Sequence, residues 1–328
     1  MKIGITGGAG FIGGHVAEVA IERGHSVVVF DRMGRMDPAV AARHTDYDHL
    51  TVMQGDVRDE VAMTELAAHV DGVIHLAACL GTQETIANPR PAVKTNVEGG
   101  LNFLEAVTQY QIPGVYIGVG NHWMNNSYSI SKTTVERFVH MFNKERGSRV
   151  NIVRLVNAYG PRQSVAPPFG PAKVRKITPA FICRALTGAD IEVYGDGEQI
   201  SDMVHVRDGA LALVMALEAA KAGVVLQAAV EVGPPPMHSR TVNEVAEAVI
   251  QLCRERGFAP GKLVHLPMRP GEVPGARVSA NTDTLEQIGL SAHQLIDLET
   301  GLGHTIDWYA SRWLPVYEGA FSAGTVLH

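Results

Sequence analysis

The chain alternates short apolar runs with longer stretches of helical periodicity. KIGIT (2–6) has the length of a buried strand, and a glycine turn and an amphipathic stretch ending near Gly24 follow it. Further apolar runs are SVVVFD (26–31), LTVMQGDV (50–57), DGVIHLAA (71–78), GVYIGVG (114–120) and VNIVRLVNAYGP (150–161). Helical periodicity fills 92–111 and the segment from about Tyr128 to Arg146. Continuous apolar strands alternating with helices at this spacing predict an α/β fold: a Rossmann-type, doubly wound parallel sheet with right-handed crossovers.

After Pro161 the pattern changes. SVAPPFGPAKVRK (164–176) is rich in proline, glycine and basic residues and reads as a loop over a site. Helices at 177–188, 206–223 and 241–257 and a strand and turn at 191–200 follow; Thr241 and Glu244 have capping-box spacing. The expected division is a dinucleotide-binding domain over 1–163, to which some later segments return, and a smaller C-terminal substrate-binding cap over 164–328.

Composition narrows the classes. Of 328 residues, 46% are apolar and 19% charged, as in a soluble globular protein with a sizeable core. The net charge of −6 and the lack of a basic run argue against nucleic acid as a partner. No apolar run reaches the length of a membrane span, and the N-terminus enters a strand directly, without the pattern of a secretory signal. Cys79, Cys183 and Cys253 lack metal-ligand spacing and suit a reducing cytoplasm. No metal is expected.

Thr6-Gly7-Gly8-Ala9-Gly10-Phe11-Ile12-Gly13 follows a strand and opens a helix. Its glycines allow a tight turn, close approach to a pyrophosphate, and packing of the helix on the sheet. A glycine pattern alone is weak evidence. Asp31, 18 residues after Gly13 at the end of the second strand, strengthens it. A carboxylate there accepts bonds from an adenosine ribose and repels a 2′-phosphate, favouring NAD over NADP. Arg32 and Arg35 blur that preference, because a guanidinium pairs with phosphate. Asp56, after Gly55, is either an adenine contact or a plain turn residue. Tyr128-x-x-x-Lys132 places a phenol and an ammonium on one side of a helix.

TGGAGFIG, Asp31, GDV (55–57), HLAA (75–78), TNVEG (95–99), YSISK (128–132), RLVNAYGP (154–161), YGDGEQISDMVHV (194–206) and MRPGE (268–272) occur in this order. Together they resemble the extended short-chain dehydrogenase/reductases, in particular the nucleotide-sugar branch of 4-epimerases, 4,6-dehydratases and decarboxylases. The resemblance covers roughly residues 1–310. It implies that Gly7, Gly10, Phe11, Ile12 and Gly13 form the cofactor cradle, and that Asp31 holds the ribose with Arg32 beside it. Asp56 and Val57 would meet the adenine, Leu76, Ala77 and Ala78 would line the cofactor, and Asn96 would support the active-site strand end. Thr82 and Thr85 would face substrate, while Asn157 and Arg269 would hold a sugar nucleotide's diphosphate. A homodimer through the helices at 92–111 and 128–146 is also implied.

A free tyrosine titrates near ~10, and a nearby ammonium favours its phenolate. Lys132 is therefore expected to lower Tyr128 and to reach the nicotinamide ribose, while Tyr128 exchanges a proton with a sugar hydroxyl. Two departures from the family pattern stand out. Val119 and Gly120 occupy the places of its serine or threonine pair, and only eight positions, counting Tyr128 itself, lead from Gly120 to the tyrosine. Asn121, His122, Ser127 or Thr82 are the candidate replacements; alternatively Tyr128 acts with Lys132 alone, or the site binds without turnover. His122 has a second reading, as a loop histidine packed on Trp123. In the cap, Ser201 stands where the family has a phosphate-bridging arginine. Lys173, Arg175 and Lys176 either replace it or form a solvated turn. Cys79, His75 and His205 are expected to be structural. The leading function is an NAD-dependent nucleotide-sugar 4-epimerase. The alternatives are a dehydratase, decarboxylase or ketosugar reductase on the same fold, or a non-catalytic NAD(H)-binding module.

Overall fold

A computed structural model describes residues 1–32, 49–81, 84–269 and 272–322. Thr82 and Arg35 lie outside the described residues. The chain forms two compact units. The first comprises Met1–Val156, Val206–Gly233 and Ala280–Gln294, and the second Asn157–His205, Pro234–Ser279 and Leu295–His328.

The first unit is built on a seven-stranded sheet in the order β3-β2-β1-β4-β5-β6-β9. Its strands are β1 (Lys2–Thr6), β2 (Ser26–Asp31), β3 (Leu50–Gln54), β4 (Gly72–His75), β5 (Gly114–Val119), β6 (Val150–Leu155) and β9 (Val230–Val232). Every pairing is parallel, with Ile3 opposite Val27 on one side and Gly72 on the other. The order reverses between β1 and β4, which makes the carboxyl ends of these strands the place for a ligand. The apolar runs seen in sequence are the first six of these strands; β1, β2, β4, β5 and β6 are largely buried, as a covered parallel sheet requires, while the edge strand β3 is half-exposed. One core cluster joins Phe30, Val73, Phe103, Tyr116, Val135 and Ile152.

The helix Ser127–Arg146 is sharply bounded. The Asn126 side chain caps it by accepting from the Ser129 amide at 2.9 Å. Gly147, at φ 69°, ends it in the left-handed conformation. Asn143 then clasps the start of β6, bonding the Val150 carbonyl and amide at 2.8 and 3.1 Å. The helix at 92–111 is divided: a turn at Arg90–Ala92, a π-helical stretch Val93–Glu98, and a regular helix Gly99–Gln109.

The second unit holds two parallel pairs: β7 (Ile191–Tyr194) with β10 (Leu263–Leu266), and β8 (Ile200–Ser201) with β11 (Arg277–Val278). Its core joins Phe181, Ile182, Val245, Val249 and Leu302 from the helices Ile177–Leu186, Val242–Glu255 and Leu298–Trp308 with Val193 of β7 and Tyr309, just past the last of these helices. The capping box at Thr241 and Glu244 is formed.

Later segments, Val206–Gly233 and Ala280–Gln294, belong to the first unit. The chain leaves the first unit at Val156, because β6 stops at Leu155 and Tyr159 bridges to His205 in the second unit. Asn157, at φ 27°, turns the backbone out of the extended run expected to reach 161. Among the described residues, no helix is long and apolar enough to cross a membrane.

Candidate active site

The glycine turn after β1 is shaped by close approach. Gly7 has φ 69°, and a Cβ on it would sit 2.9 Å from the Ala77 amide. A Cβ on Gly13 would sit 2.6 Å from Gly8 Cα, so only glycine lets the first helix approach the turn. That helix, Phe11–Glu22, begins at Gly10 without a side-chain cap, leaving its first amides for a ligand. Thr6 Oγ1 accepts from the Leu76 and Ala77 amides at 3.1 and 3.3 Å, which fixes the loop Leu76–Ala78 beside the turn.

Asp31 ends β2 and accepts from the Ala9 amide at 3.2 Å and the Arg32 amide at 2.7 Å. The Arg32 side chain is exposed, 4.0 Å from Asp56. Arg58 clamps Asp56 through Nε at 3.0 Å and Nη2 at 2.6 Å, and these bonds hold the carboxyl below its usual range. Val57 is buried and packs where a Cβ on Gly99 would stand 2.7 Å away.

Asn96 lies in the π-helical stretch and is buried. Its Oδ1 accepts from the Cys79 amide at 2.7 Å; its Nδ2 donates to the Cys79 carbonyl at 3.2 Å and to Ser131 Oγ at 2.9 Å. Ser131 Oγ donates in turn to the Tyr128 carbonyl at 2.9 Å. One side chain thus ties the loop after β4 to the turn carrying Tyr128 and Lys132. Cys79 is half-buried rather than fully buried, and its backbone serves this tie.

Lys132 is 1% exposed, and its Nζ has no hydrogen-bond partner among the described residues. The ammonium lies 4.0 Å from the centroid of Tyr116. Burial pulls the Lys132 amine down to about 7, against an upward pull from Glu136. Burial pushes the Tyr128 phenol up to about 12. The lowered tyrosine expected from the Tyr-x-x-x-Lys pattern is therefore not found. Desolvation outweighs the lysine here, and the ammonium sits on Tyr116.

Gly120, after β5, is packed tightly: a Cβ there would sit 2.9 Å from Val156 Cγ1 and 3.0 Å from its Cα. A hydroxyl-bearing residue does not fit at this position as the backbone stands. Asn121 folds back on the helix start, donating to Met124 Sδ at 3.3 Å and accepting from Ser129 Oγ at 3.4 Å. Ser127 donates to the Thr85 carbonyl at 3.0 Å, and buried Thr85 donates to the Gly81 carbonyl at 2.7 Å. His122 is half-buried, and its Nδ1 is buried with no hydrogen-bond partner among the described residues. Trp123 is 44% exposed. His75 is buried, stacked against Phe103 at 4.8 Å and Tyr116 at 5.9 Å, and bonds Thr6 at 3.0 Å. It is structural, as expected; so is buried His205, edge-on to Tyr159.

In the second unit, Asn157 donates to Ser201 Oγ at 3.0 Å and to the Asp202 carbonyl at 2.8 Å. Arg269 pairs with Glu272 and stacks 4.7 Å over the Tyr194 ring; its Nε is buried and unbonded among the described residues. Arg175 is not a solvated turn residue. It donates to the Tyr194 hydroxyl at 2.8 Å and to Glu192 at 2.7 Å, while Lys173 is exposed. Ser131, Tyr116, Glu136 and Tyr194 are site residues that the sequence reading did not single out. Glu136 was detectable in principle, being one turn from Lys132 on the same face.

A glycine turn on β1, a carboxylate ending β2 and a Tyr-x-x-x-Lys helix beside β5 define an enzyme of the short-chain dehydrogenase/reductase type. The family model described as "NAD dependent epimerase/dehydratase family" matches residues 3–233, and the chain belongs to that family. It is 28% identical over 331 residues to a UDP-N-acetyl-alpha-D-glucosaminuronate decarboxylase of Bacillus cytotoxicus, covering 93% of this chain and 96% of that one. It is 27% identical to a dTDP-glucose 4,6-dehydratase of Mycolicibacterium smegmatis, covering 96% of each. Among solved structures, UDP-glucose 4-epimerase of Thermotoga maritima matches with a TM-score of 0.80 and 26% identity, over 95% of this chain and 99% of that one. These three relatives carry names of three different reactions.

The residues present fit NAD. The turn closes with no room for side chains at Gly7 and Gly13, the adjoining helix start is uncapped, and the buried Lys132 amine lacks a bond a ribose hydroxyl would supply.

Proposed function

We propose that the protein is an NAD-dependent nucleotide-sugar 4-epimerase. One observation carries the reading: Tyr128 and buried Lys132 stand on the helix after β5, while the turn leading to it offers Asn121 and His122 and no carboxylate. Dehydration and decarboxylation ask more of an acid/base group at that turn than epimerisation does. Asp31 favours NAD over NADP, and Gly7, Gly10, Phe11, Ile12 and Gly13 form the cradle. NAD supplies a hydride acceptor that gives the hydride back within one turnover.

In this reading Tyr128 takes the proton of the sugar C4 hydroxyl and later returns it. Acid/base help of this kind is typically worth ~10²–10⁴ in rate. Lys132 favours the phenolate against the burial that opposes it. With Gly120 closed to a hydroxyl, His122 Nδ1, unbonded among the described residues, holds the sugar oxygen, and Asn121 fixes the turn that carries it. Arg269 and Arg175, gathered on Tyr194, take the diphosphate in place of the arginine that Ser201 replaces. Asn157 and Thr85 complete the substrate contacts. The protein works as a cytoplasmic homodimer through the helices at 92–111 and 128–146.

A dehydratase is the second reading, favoured by the unbonded His122 Nδ1 at the turn where an acid is needed. Incubation with UDP-, dTDP-, GDP- and CDP-sugars, read by mass and NMR, separates the two. Unchanged mass with inverted C4 is the expected result. Loss of water or carbon dioxide overturns epimerisation. Tyr128→Phe is expected to lower turnover ~10²–10⁴-fold while NAD stays bound; unchanged turnover removes Tyr128 from the chemistry.

A further inference from the structure

The floor beneath Lys132 is built from groups that have no part in the reaction described above. Tyr116, on β5, is fully buried and presents its ring face to the ammonium at 4.0 Å. Its hydroxyl donates to the Lys132 carbonyl at 3.4 Å, so one residue holds both the backbone and the charge of the lysine. His75 and Phe103 stack behind the ring and keep its orientation.

Glu136, one turn beyond Lys132, is 4% exposed. Arg154 on β6 grips its carboxylate at 2.5 and 3.1 Å, and Glu231 on β9 holds Arg154 at 3.0 Å. This ion triad crosses β5 at Gly118. A Cβ there would collide with Glu136 Oε1 and sit 2.8 Å from Arg154 Cγ. The strand therefore has no side chain at the point where the carboxylate passes.

We propose that Tyr116 and Glu136 are positioning residues for Lys132: the aromatic face and the fixed carboxylate together keep the buried side chain cationic, one turn from Tyr128. An aromatic face attracts the charged amine more strongly than the neutral one, and more so when desolvated. The Glu136 carboxylate acts the same way, lifting the amine against the burial that lowers it. Other neighbours do not supply this. Buried His75 is held well below its usual range and stays neutral. From the π-helical stretch, Asn96 is neutral, while Lys94 and Glu98 are exposed. Glu105 is paired with Arg146, and Arg154 is spent on Glu136 and Glu231.

The proposal rests on Tyr128 and Lys132 being the acid/base pair, and its test is independent of any substrate. Lysine Cε carbons labelled with 13C are titrated by NMR in the NAD-loaded full chain; the Lys132 resonance is the one lost in Lys132→Met. Tyr116→Phe keeps the ring and is expected to leave the midpoint in place. Tyr116→Leu is expected to lower it by roughly one pH unit, as is Glu136→Gln. Where a sugar nucleotide turns over, the same variants lower kcat and move the alkaline limb of the pH profile to lower pH. Loosened packing would lower kcat without that movement. If Tyr116→Leu does not fold, fluorinated phenylalanines at 116, with a progressively weaker ring face, replace it; the midpoint should fall stepwise. A midpoint unchanged by loss or fluorination of the ring overturns the proposal. If no sugar nucleotide reacts, the epimerase reading fails, yet the titration still decides this one.

Discussion

Asn157 gives its side-chain amide to Ser201 Oγ at 3.0 Å and to the Asp202 carbonyl at 2.8 Å, from a backbone at φ 27°. Two effects separate at this residue. Asn157→Ala loses both bonds, and with them the side-chain bonding that lets a residue with a β-carbon hold this backbone, for a cost of ~2–4 kcal/mol in urea unfolding. Asn157→Gly loses the same bonds without the strain and should recover ~1 kcal/mol of that loss. Equal losses would show that the positive φ carries no penalty.

Gly120→Ser places a hydroxyl where relatives of this fold are expected to have one. The Cβ would meet Val156, on its backbone as well as its side chain, at 2.9–3.0 Å. The variant should lose ~1–3 kcal/mol of stability and gain no turnover. A faster enzyme would mean that the strand end yields and that the missing hydroxyl limits the wild type.

Lys132 makes stability depend on pH in a defined direction. Its folded value is depressed to about 7 from 10.5, so between these values the unfolded chain binds the extra proton. Stability then rises with pH across that window, and the burden of the buried charge is full below about 7. Lys132→Met should therefore unfold later than wild type at pH 6, by a few kcal/mol at most, on the order of the shift at ~1.4 kcal/mol per unit. The gain should shrink toward pH 10. A gain independent of pH would contradict the assignment.

Asp31→Ser removes the carboxylate that ends β2 and leaves Arg32 in place. Bonds to charged groups are worth ~1.5–3 kcal/mol, so NAD should bind ~10–100-fold more weakly. The repulsion of a 2′-phosphate goes with it, and NADP should gain relative to NAD in fluorescence titrations of the reduced cofactors. Unchanged NAD affinity would remove Asp31 from the ribose site.

The first unit was legible because its signals are local. Six strands announce themselves as apolar runs, and the cradle is a contiguous string from Gly7 to Gly13. The proposed catalytic pair, Tyr128 and Lys132, is four residues apart on one helix. What escaped reading depends on partners distant in sequence. β9, three residues long, gains its identity only by pairing with β6. Gly118 looks like a loose strand residue until Glu136 and Arg154 are seen to occupy its side-chain space. The tyrosine's titration ran against expectation for the same reason: spacing reports which groups are neighbours, while burial, which outweighs the lysine here, is a property of the whole fold. Arg175 resembled a solvated basic turn because Tyr194 and Glu192 lie in a different element.

The chain passes between its two units at 156, 205, 233, 279 and 294. Interleaving of this kind has a consequence for synthesis. A nascent polypeptide that has emerged only to β6 exposes that strand as an open edge, since β9 is not yet made. The first unit lacks Ala280–Gln294 until synthesis has passed Gln294. Such non-local closure is slow and leaves sticky surface in the interim. A gene fragment stopping at 156 or 163 is therefore expected to be insoluble rather than to yield a free dinucleotide-binding half.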